Sequence, residues 1–305
     1  MRRTTRFRQL LNAPEILVMP GAPDMMAARI VEATGFQAMT NGGYSISAHQ
    51  LGKPDIGLVS YSEMVSFYDR LCDATALPVF ADADTGYGNV SNVARTVRGY
   101  ERAGVAGLFI EDQVSPKRCG HMAGKQVVPI EEFIAKIKSA LDARSDPDLV
   151  IMARSDALAP HGLDEAIDRL HLAREAGADM LFIDALESVE QMRRFCREAQ
   201  APTLANMIEG GKSPALTTAE LQEIGFSAVV CALAPTYAIA QTLQQLYATL
   251  ARDGTTAAFR NRMLSFDQFN DLIGLQGVRG RENELKEFAD KLVGGNGARN
   301  VAGKR

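Results

Sequence analysis

Several residue types that mark large classes of protein are scarce in this chain. Its 305 residues include no tryptophan, four cysteines and four histidines. Four cysteines without any Cys-x-x-Cys pair exclude a disulfide-built scaffold and a paired-cysteine zinc site. The formal net charge of −4 provides no basic field for binding polyanions. We therefore expect no nucleic-acid partner.

Long apolar runs are missing as well. No stretch approaches the roughly 20 apolar residues that a membrane helix needs. The basic N-terminus lacks the apolar core of a signal peptide. No Gly-x-Gly-x-x-Gly segment follows the first apolar run, which argues against an open dinucleotide-binding sheet. These absences predict a soluble, cytoplasmic protein with no membrane partner.

What the chain does contain is a regular alternation of short apolar runs and amphipathic segments. Runs of this length, apolar almost throughout, are typical of parallel strands buried on both faces. The eight predicted strands are Ile16–Met19, Ala38–Asn41, Val79–Ala83, Gly107–Glu111, Val150–Arg154, Met180–Asp184, Thr203–Asn206 and Ala228–Ala232. Predicted helices include Thr4–Asn12, Ser91–Ala103 with a serine cap, Ile130–Arg144, Leu163–Glu175, Val189–Ala199 and Thr218–Ile224.

Eight strand–helix repeats in about this length favour a closed (β/α)₈ barrel of the α/β class. We predict a single domain over residues 1–292, including further helices after Thr236, and a disordered tail over residues 293–305. The polar segment Gln113–Val128 is long for a compact domain, which is typical of a lid over a site.

Acidic side chains stand where several predicted strands end. Asp82 and Asp84 stand at the end of the third strand, Glu111 at the end of the fourth and Asp184 at the end of the sixth. Residues i and i+2 share a face of a strand, so we expect Asp82 and Asp84 to point into one space. Carboxylates that converge repel one another unless a cation is present, and oxygen donors suit Mg²⁺. The alternative is that these acids cap the following helices.

Three further groups have a chemical interpretation. Arg154, among the acids, can grip a carboxylate or form an ion pair with Asp156 or Glu111. In the predicted lid, Cys119 stands beside Lys117, Arg118 and His121, whose positive charge is expected to lower the pKa of its thiol. The glycines of Asn41-Gly42-Gly43-Tyr44 can expose backbone N–H groups to an anion, or form an ordinary tight turn.

Together these motifs resemble the isocitrate lyase / phosphoenolpyruvate mutase superfamily, and its short lyase branch in particular. The resemblance covers residues from about 7 to 292. The residues that carry it are KRCGH (117–121), DADTGYG (82–88), EDQ (111–113), ARSDA (153–157), LANMIEGG (204–211) and GKPDIG (52–57).

The resemblance implies a barrel whose last helix is swapped between subunits, in a homotetramer. It implies Mg²⁺, with Mn²⁺ as an alternative, held by Asp82, with Asp55, Asp84 and Glu111 acting largely through water. It implies that a small carboxylate substrate, a 2-hydroxy acid such as 2,3-dimethylmalate or 2-methylisocitrate, is cleaved through an enolate that Cys119 protonates. The residues implied to bind this substrate are Gly42, Gly43, Tyr44, Arg154, Asp184, Asn206 and Glu209.

The chain departs from the family pattern at four places. Gly42 replaces a Ser or Thr, and Asp184 replaces a Glu. Cys231-Ala232-Leu233-Ala234 replaces a Tyr-Pro-Leu-Ser segment of the tricarboxylate lyases, and Tyr237 replaces their Arg. The loss of that arginine favours a malate-like dicarboxylate. Three alternatives stay open: a P–C bond enzyme similar to carboxyvinyl-carboxyphosphonate phosphonomutase, an oxaloacetate hydrolase or decarboxylase, and a decayed homologue that only binds ligand.

Overall fold

The computed structural model describes residues 1–120, 122 and 124–302, and the side chains of the last helix up to residue 293. Two compact units divide the chain, residues 1–241 and residues 242–305. In the described part of the chain no helix is both long and apolar enough to cross a membrane.

The first unit contains eight short parallel strands, and each one lies within two residues of its predicted position. Their bounds are β1 Leu17–Pro20, β2 Met39–Asn41, β3 Val79–Asp82, β4 Gly107–Glu111, β5 Val150–Ser155, β6 Met180–Ile183, β7 Leu204–Asn206 and β8 Ala228–Cys231. Nearly every strand residue is buried, as expected for a sheet covered on both faces.

The strands close into a barrel. One arc runs β2-β3-β4-β5-β6 and the other β1-β8-β7, with every pair parallel. Single bridges join the arcs at two seams, Gly21 to Thr40 and Leu181 to Thr203. At Gly21 a Cβ atom would lie 2.2 Å from the carbonyl oxygen of Ala232, so glycine is needed where β1 meets the end of β8. The predicted (β/α)₈ barrel is confirmed.

Helices between the strands of the first unit cover the outer faces of the barrel, and further helices precede the first strand and follow the last. Their bounds are α1 Arg3–Leu11, α2 Met25–Ala33, α3 Gly43–Leu51, α4 Tyr61–Ala74, α5 Val90–Arg102, α6 Ile130–Ala143, α7 Leu158–His161, α8 Leu163–Glu175, α9 Val189–Glu198, α10 Thr218–Ile224, α11 Ala234–Asp253, α12 Phe266–Leu272 and α13 Leu275–Ala302. The predicted serine cap of α5 is wrong: Asn89 caps this helix, and its side chain accepts hydrogen bonds from the N–H groups of Ser91 and Asn92.

Two apolar cores follow from the alternation of side chains along the strands. One contains Phe80, Phe109, Phe182, Leu204 and Val230, which fill the inside of the barrel, together with residues of α1. The other lies between the strands and the surrounding helices. Each fully buried Phe or Leu side chain contributes about 1.5–3 kcal/mol relative to exposure. The filled interior leaves room for a site only at the barrel's ends.

The second unit contains the end of α11, a 3₁₀ turn at Ala257–Arg262, α12 and α13. Several of its apolar side chains are largely exposed, among them Phe266 at 84% and Phe288 at 66%. Helix α13 extends to Ala302 and so includes most of the segment for which the sequence predicts disorder. The predicted division into one domain, 1–292, and a tail stays a prediction.

Candidate active site

The polar residues predicted at the strand ends continue the inward-facing rows of the barrel core. Asp82, Glu111 and Arg154 each stand two residues beyond an inward apolar residue of β3, β4 or β5. Asp184 and Asn206 do the same at β6 and β7. Because side chains alternate along a strand, all five point into the barrel at its carboxyl end. The strands themselves therefore bring these groups together.

A cavity of about 80 Å³ lies at this end of the barrel. Its walls include ten of the predicted site residues: Gly42, Gly43, Tyr44, Asp55, Asp82, Lys117, Cys119, Arg154, Asp184 and Asn206. Its floor is the apolar layer of Phe80, Phe109 and Phe182. Asp84 and Glu111 are buried just behind the wall, whereas Arg118 and Glu209 are exposed and do not line the cavity. His121 lies outside the described residues.

The acids do not cap the helices that follow their strands. The N-cap residues of those helices are Asn89, Pro129, Ala157, Gly162, Ser188 and Thr217. The predicted reason for pairing Asp82 with Asp84 is also wrong. Strand β3 ends at Asp82, and Asp84 lies in a left-handed turn with φ 48°. Its N–H group donates to Asp82 Oδ1 at 2.9 Å, so a turn rather than strand alternation brings the two together.

Two buried tyrosines hold the backbone of Asp82. The Tyr68 hydroxyl accepts a hydrogen bond from Asp82 N–H at 2.7 Å and donates one to the carbonyl of Asn41 at 2.6 Å. The Tyr100 hydroxyl donates to the Asp82 carbonyl at 2.9 Å. Tyr68 therefore fixes the ends of β2 and β3 relative to each other. The sequence gives no local sign of this, because both tyrosines sit in ordinary amphipathic helices.

Lys117 lies among the acids. Its Nζ atom is 2.7 Å from Asp55 Oδ2 and 2.8 Å from Asp84 Oδ1, and all three side chains are buried. Burial alone lowers the pKa of Lys117, but the carboxylates of Asp84, Asp82, Glu111 and Asp55 raise it well above its usual value. The ammonium group therefore stays charged and balances two of the acids predicted to act at the metal.

Arg154 neutralises a second group of carboxylates. Its Nε donates to Asp156 Oδ2 at 2.9 Å, and its Nη2 donates to Asp184 Oδ2 at 3.0 Å. Its Nε also lies 3.3 Å from Glu111 Oε2. The predicted ion pairs with Asp156 and Glu111 are thus present, and the guanidinium still lines the cavity. It can hold a substrate carboxylate from this position.

Two of the acids lack sufficient compensation for their burial. Neither oxygen of Glu111 has a hydrogen-bond partner among the described residues, and its nearest cation is Arg154 Nε, 3.3 Å from Oε2. Asp84 Oδ1 faces the ammonium group of Lys117, which it shares with Asp55. Burial raises the pKa of Glu111 well above its usual value, although Arg154 opposes the shift, and it raises the pKa of Asp84 to about 6 against the effect of Lys117. Nearby cationic charge would stabilise both carboxylates. This donor set therefore fits a divalent cation.

The fit is to a cation with few direct protein ligands. Across residues 1–120, 122 and 124–302, no three Asp, Glu, His or Cys side chains stand close enough together to hold a metal ion by themselves. Mg²⁺ commonly keeps several waters and takes one or two carboxylates. The spacing of these acids suits that kind of coordination.

The sequence leaves open whether Gly42-Gly43-Tyr44 binds an anion or forms an ordinary tight turn, and in the structure this segment is the beginning of α3, with Gly42 as its N-cap. The N–H group of Gly43 donates to Asp82 Oδ2 at 2.7 Å. A Cβ atom on Gly43 would lie 3.1 Å from Lys117 Nζ and 3.3 Å from Asp55 Oδ1. A helix N-terminus favours anions, and here it already holds one carboxylate at the cavity.

Three of the described residues of the loop Gln113–Val128 line the cavity, Lys117, Cys119 and Gly120. The side chain of Gln113 binds the backbone N–H and C=O groups of Arg118, at 3.0 and 2.9 Å. Cys119 is half-buried and lines the cavity. A Cβ atom on Gly120 would lie 1.3 Å from Asp184 Oδ2, so the loop backbone lies directly against the acid that replaces the family's glutamate.

Tyr237 stands at the rim beside Tyr44, with the ring centroids 6.4 Å apart in an edge-on arrangement. Burial, followed by the proximity of Tyr44, Cys119 and Glu209, raises its pKa to about 12. The phenol therefore stays neutral near Cys119. Where the tricarboxylate lyases of the family place an arginine, this rim carries no positive charge from Tyr237.

Comparison with known proteins gives a consistent result. The family model for phosphoenolpyruvate phosphomutase matches residues 7–251. The chain is 45% identical to 2,3-dimethylmalate lyase of Eubacterium barkeri over 92% of this chain and 96% of that one. It is 42% identical to the petal death protein of Dianthus caryophyllus, covering 95% and 92% of the two chains. It is 43% identical to the chloroplastic carboxyvinyl-carboxyphosphonate phosphorylmutase of Arabidopsis thaliana, covering 89% and 81%.

Solved structures agree. Oxaloacetate acetylhydrolase bound to 3,3-difluorooxalacetate superimposes with a TM-score of 0.88 at 33% identity, covering 93% of this chain and 97% of that one. A crystal structure of 2,3-dimethylmalate lyase gives 0.88 at 33% identity, with 93% and 96% coverage. Phosphonopyruvate hydrolase with oxalate and Mg²⁺ gives 0.84 at 27% identity, with 93% and 99% coverage. Strand order, site residues and relatives lead to one conclusion: the chain belongs to the phosphoenolpyruvate phosphomutase family, within the superfamily that includes isocitrate lyase.

Proposed function

We propose that this protein is a Mg²⁺-dependent carbon–carbon lyase that cleaves a 2-hydroxy dicarboxylate into a 2-oxo acid, such as pyruvate, and a carboxylic acid. The observation that carries the proposal is the cavity itself. Its lining includes Cys119, Arg154 and Asp184 together with Asp55 and Asp82. The likeness to 2,3-dimethylmalate lyase supports a lyase with a malate-like substrate.

We propose that two sets of residues act on the two halves of the substrate. Asp82 is proposed to hold Mg²⁺ directly, and Asp55, Asp84 and Glu111 to contact it through water. When bound, the ion would lower the pKa of the substrate's 2-hydroxyl group. The start of α3 at Gly42, Gly43 and Tyr44, with Arg154, is proposed to hold the carboxylate of the emerging 2-oxo acid. Asn206 donates to Asp184 Oδ1 at 3.3 Å and is placed to bind the same half.

Cys119 is proposed to act on the other half. Once a base at the cavity, such as a hydroxide ion from solvent, has taken the hydroxyl proton, C2 becomes a carbonyl carbon and the C2–C3 bond breaks. Its electron pair goes to C3 as an enolate, and the thiol of Cys119 gives its proton to C3. Lys117, Arg118 and His121 are the proposed source of positive charge for this step. The closed loop would keep bulk water from the enolate.

The substrate class is tested with a panel of 2-hydroxy di- and tricarboxylates coupled to a pyruvate or glyoxylate readout. We expect turnover of C3-substituted malates and at least about tenfold lower kcat/KM for the tricarboxylate 2-methylisocitrate, because no arginine meets its third carboxylate. Equal or better cleavage of 2-methylisocitrate would contradict this assignment. Calorimetric titration of Mg²⁺ with and without pyruvate separates an active enzyme from a decayed binding homologue.

Hydrolysis of oxaloacetate is the second candidate, favoured by the likeness to oxaloacetate acetylhydrolase. Oxaloacetate belongs in the same panel, with oxalate and acetate as the products to measure. A P–C bond mutase is a third reading, on the likeness to the Arabidopsis phosphorylmutase. Phosphonopyruvate in the panel, followed by phosphorus NMR, tests that activity.

We also propose that the chain assembles as a homotetramer of helix-swapped pairs. The exposed apolar side chains of the second unit, such as Phe266, Phe288 and Val293, form a surface of the kind that subunits bury. Light scattering after gel filtration is expected to give four times the monomer mass. Truncation after Asp253 is expected to give a smaller species, and an unchanged tetramer would show that the terminal helices are not the contact.

A further inference from the structure

A buried lysine on the returning arm of the loop Gln113–Val128 has no place in the proposed chemistry. The side chain of Lys125 is 1% exposed, and its Nζ atom lies 2.8 Å from Oδ1 of Asp156, which is fully buried. Lys125 does not line the cavity. Burying an ammonium group is costly unless it has a partner, so this pairing calls for an explanation.

The partner of Lys125 also orients Arg154. Asp156 Oδ2 accepts from Arg154 Nε at 2.9 Å, and Asp156 Oδ1 accepts from Arg154 Nη2 at 3.1 Å. The atom that binds Lys125 is therefore one of the two that hold the guanidinium in a fork. Burial alone raises the pKa of Asp156, but Arg154 and Lys125 hold it well below its usual value. The carboxylate thus stays ionised and bridges loop and arginine.

The loop contacts the same charged group from its other arm. The position of a Cβ atom on Gly120 would be 1.3 Å from Asp184 Oδ2 and 2.6 Å from Arg154 Nη2. Gly120 and Lys125, five positions apart in the chain, therefore both lie at this charged group. Three carboxylates, those of Glu111, Asp156 and Asp184, surround Arg154, and Lys125 brings a second cation to one of them, Asp156.

We propose that Lys125 is a positioning residue that couples closure of the loop carrying Cys119 to the orientation of Arg154, through the shared carboxylate of Asp156. The inference rests on the proposed function for its catalytic meaning, and on the ion-pair geometry for the coupling itself. With Lys125 in place, the thiol and the guanidinium adopt their positions together. Without it, Asp156 loses one of its two cations and the loop loses its buried anchor.

The experiment compares Lys125→Met, which keeps the apolar stem but removes the charge, with Lys125→Arg, which keeps the charge. Lys136→Met is the matched control, because Lys136 is also buried and paired, 3.0 Å from Glu132 on α6, away from the cavity. Two rates report on the loop without any substrate. They are hydrogen exchange of peptides within 113–128 and alkylation of Cys119 by iodoacetamide, followed by peptide mass spectrometry.

We expect Lys125→Met to raise both rates by about tenfold. Without the buried ion pair to Asp156, local opening of the loop costs less free energy. Lys125→Arg should stay within about threefold of wild type, and Lys136→Met should leave both rates unchanged. Asp156→Asn should have an effect as large as that of Lys125→Met, and the double variant should be no worse than Asp156→Asn alone. Unchanged loop rates in Lys125→Met, or additive effects in the double variant, would overturn the proposal.

A binding measurement separates this inference from the proposed function. Pyruvate titrated into the protein with Mg²⁺ is expected to bind about tenfold more weakly to Lys125→Met than to Lys136→Met. If wild type binds no pyruvate, the proposed function fails while the loop rates still decide the coupling. Should Lys125→Met fail to fold, Lys125→Gln, which keeps a donor but no charge, is expected to raise both loop rates at least about threefold, and no increase there would count against the proposal.

Discussion

Replacing Cys119 by serine is expected to lower kcat by at least about 100-fold, because general acid catalysis contributes on the order of 10²- to 10⁴-fold. The serine hydroxyl is close in size to the thiol but a much weaker acid, so it gives its proton to an enolate poorly. KM should change little, since the loop and the walls of the cavity stay in place. The measurement is steady-state turnover of whichever substrate the panel identifies.

The matched control for this variant is Cys196→Ser. Cys196 is also a half-buried free cysteine, but it lies on α9, 3.6 Å from the Thr203 hydroxyl, and does not line the cavity. It should keep near-normal kcat. If Cys119→Ser also turned over at a near-normal rate, Cys119 would have no role as the acid, although the lyase assignment could still stand on the panel.

Removing divalent cations is expected to abolish activity, and adding Mg²⁺ back should restore it. Without a cation, Glu111 and Asp84 are buried carboxylates with raised pKa values, and nothing would hold the substrate's hydroxyl oxygen as it loses its proton. The measurement is turnover after EDTA treatment and dialysis, then on titration with MgCl₂. Full activity in the chelator would refute the metal's role.

Metal binding should also depend on pH in a definite direction. The pKa of Asp84 is raised to about 6, and a protonated carboxyl group is a poor partner for a cation. The apparent affinity for Mg²⁺ should therefore fall as the pH drops below about 6, with protons released on binding. Calorimetry at pH 5.5 and 7.5 tests this, and Asp82→Asn, which removes the proposed direct ligand, should weaken binding at both values.

The barrel could be read from the sequence because its strands are buried on both faces. Eight short, nearly uninterrupted apolar runs such as Gly107–Glu111 are typical of parallel strands covered on both faces. The predicted strands also indicate the position of the site. At the carboxyl ends of β3 to β7 the inward-facing residue is polar instead of apolar, as at Asp82 and Arg154. Helices α2, α3 and α4 were not among the named predictions, although α4 repeats apolar residues at helical spacing and begins with a capping box of Ser60 and Glu63.

The details of the site depended on contacts between residues distant in the chain. The left-handed turn at Asp84, the anchoring of Asp82 by Tyr68 and the bridge from Lys125 to Arg154 each join separate elements. A motif shows which charges are present, but it does not show which of them neutralise one another. For the same reason the ammonium group of Lys117, expected to lower the pKa of the Cys119 thiol, is found paired with Asp55 and Asp84.

The two seams of the barrel have a consequence for how the chain is assembled. Leu17, in the first strand to be synthesised, pairs with Ala228 in the last, so β1 has no sheet partner in its own arc until β7 and β8 have emerged. The arc from β2 to β6 can form from neighbours in sequence, whereas closing the ring needs contacts of high sequence separation. We therefore expect the barrel to close, and the cavity to be completed, late in folding.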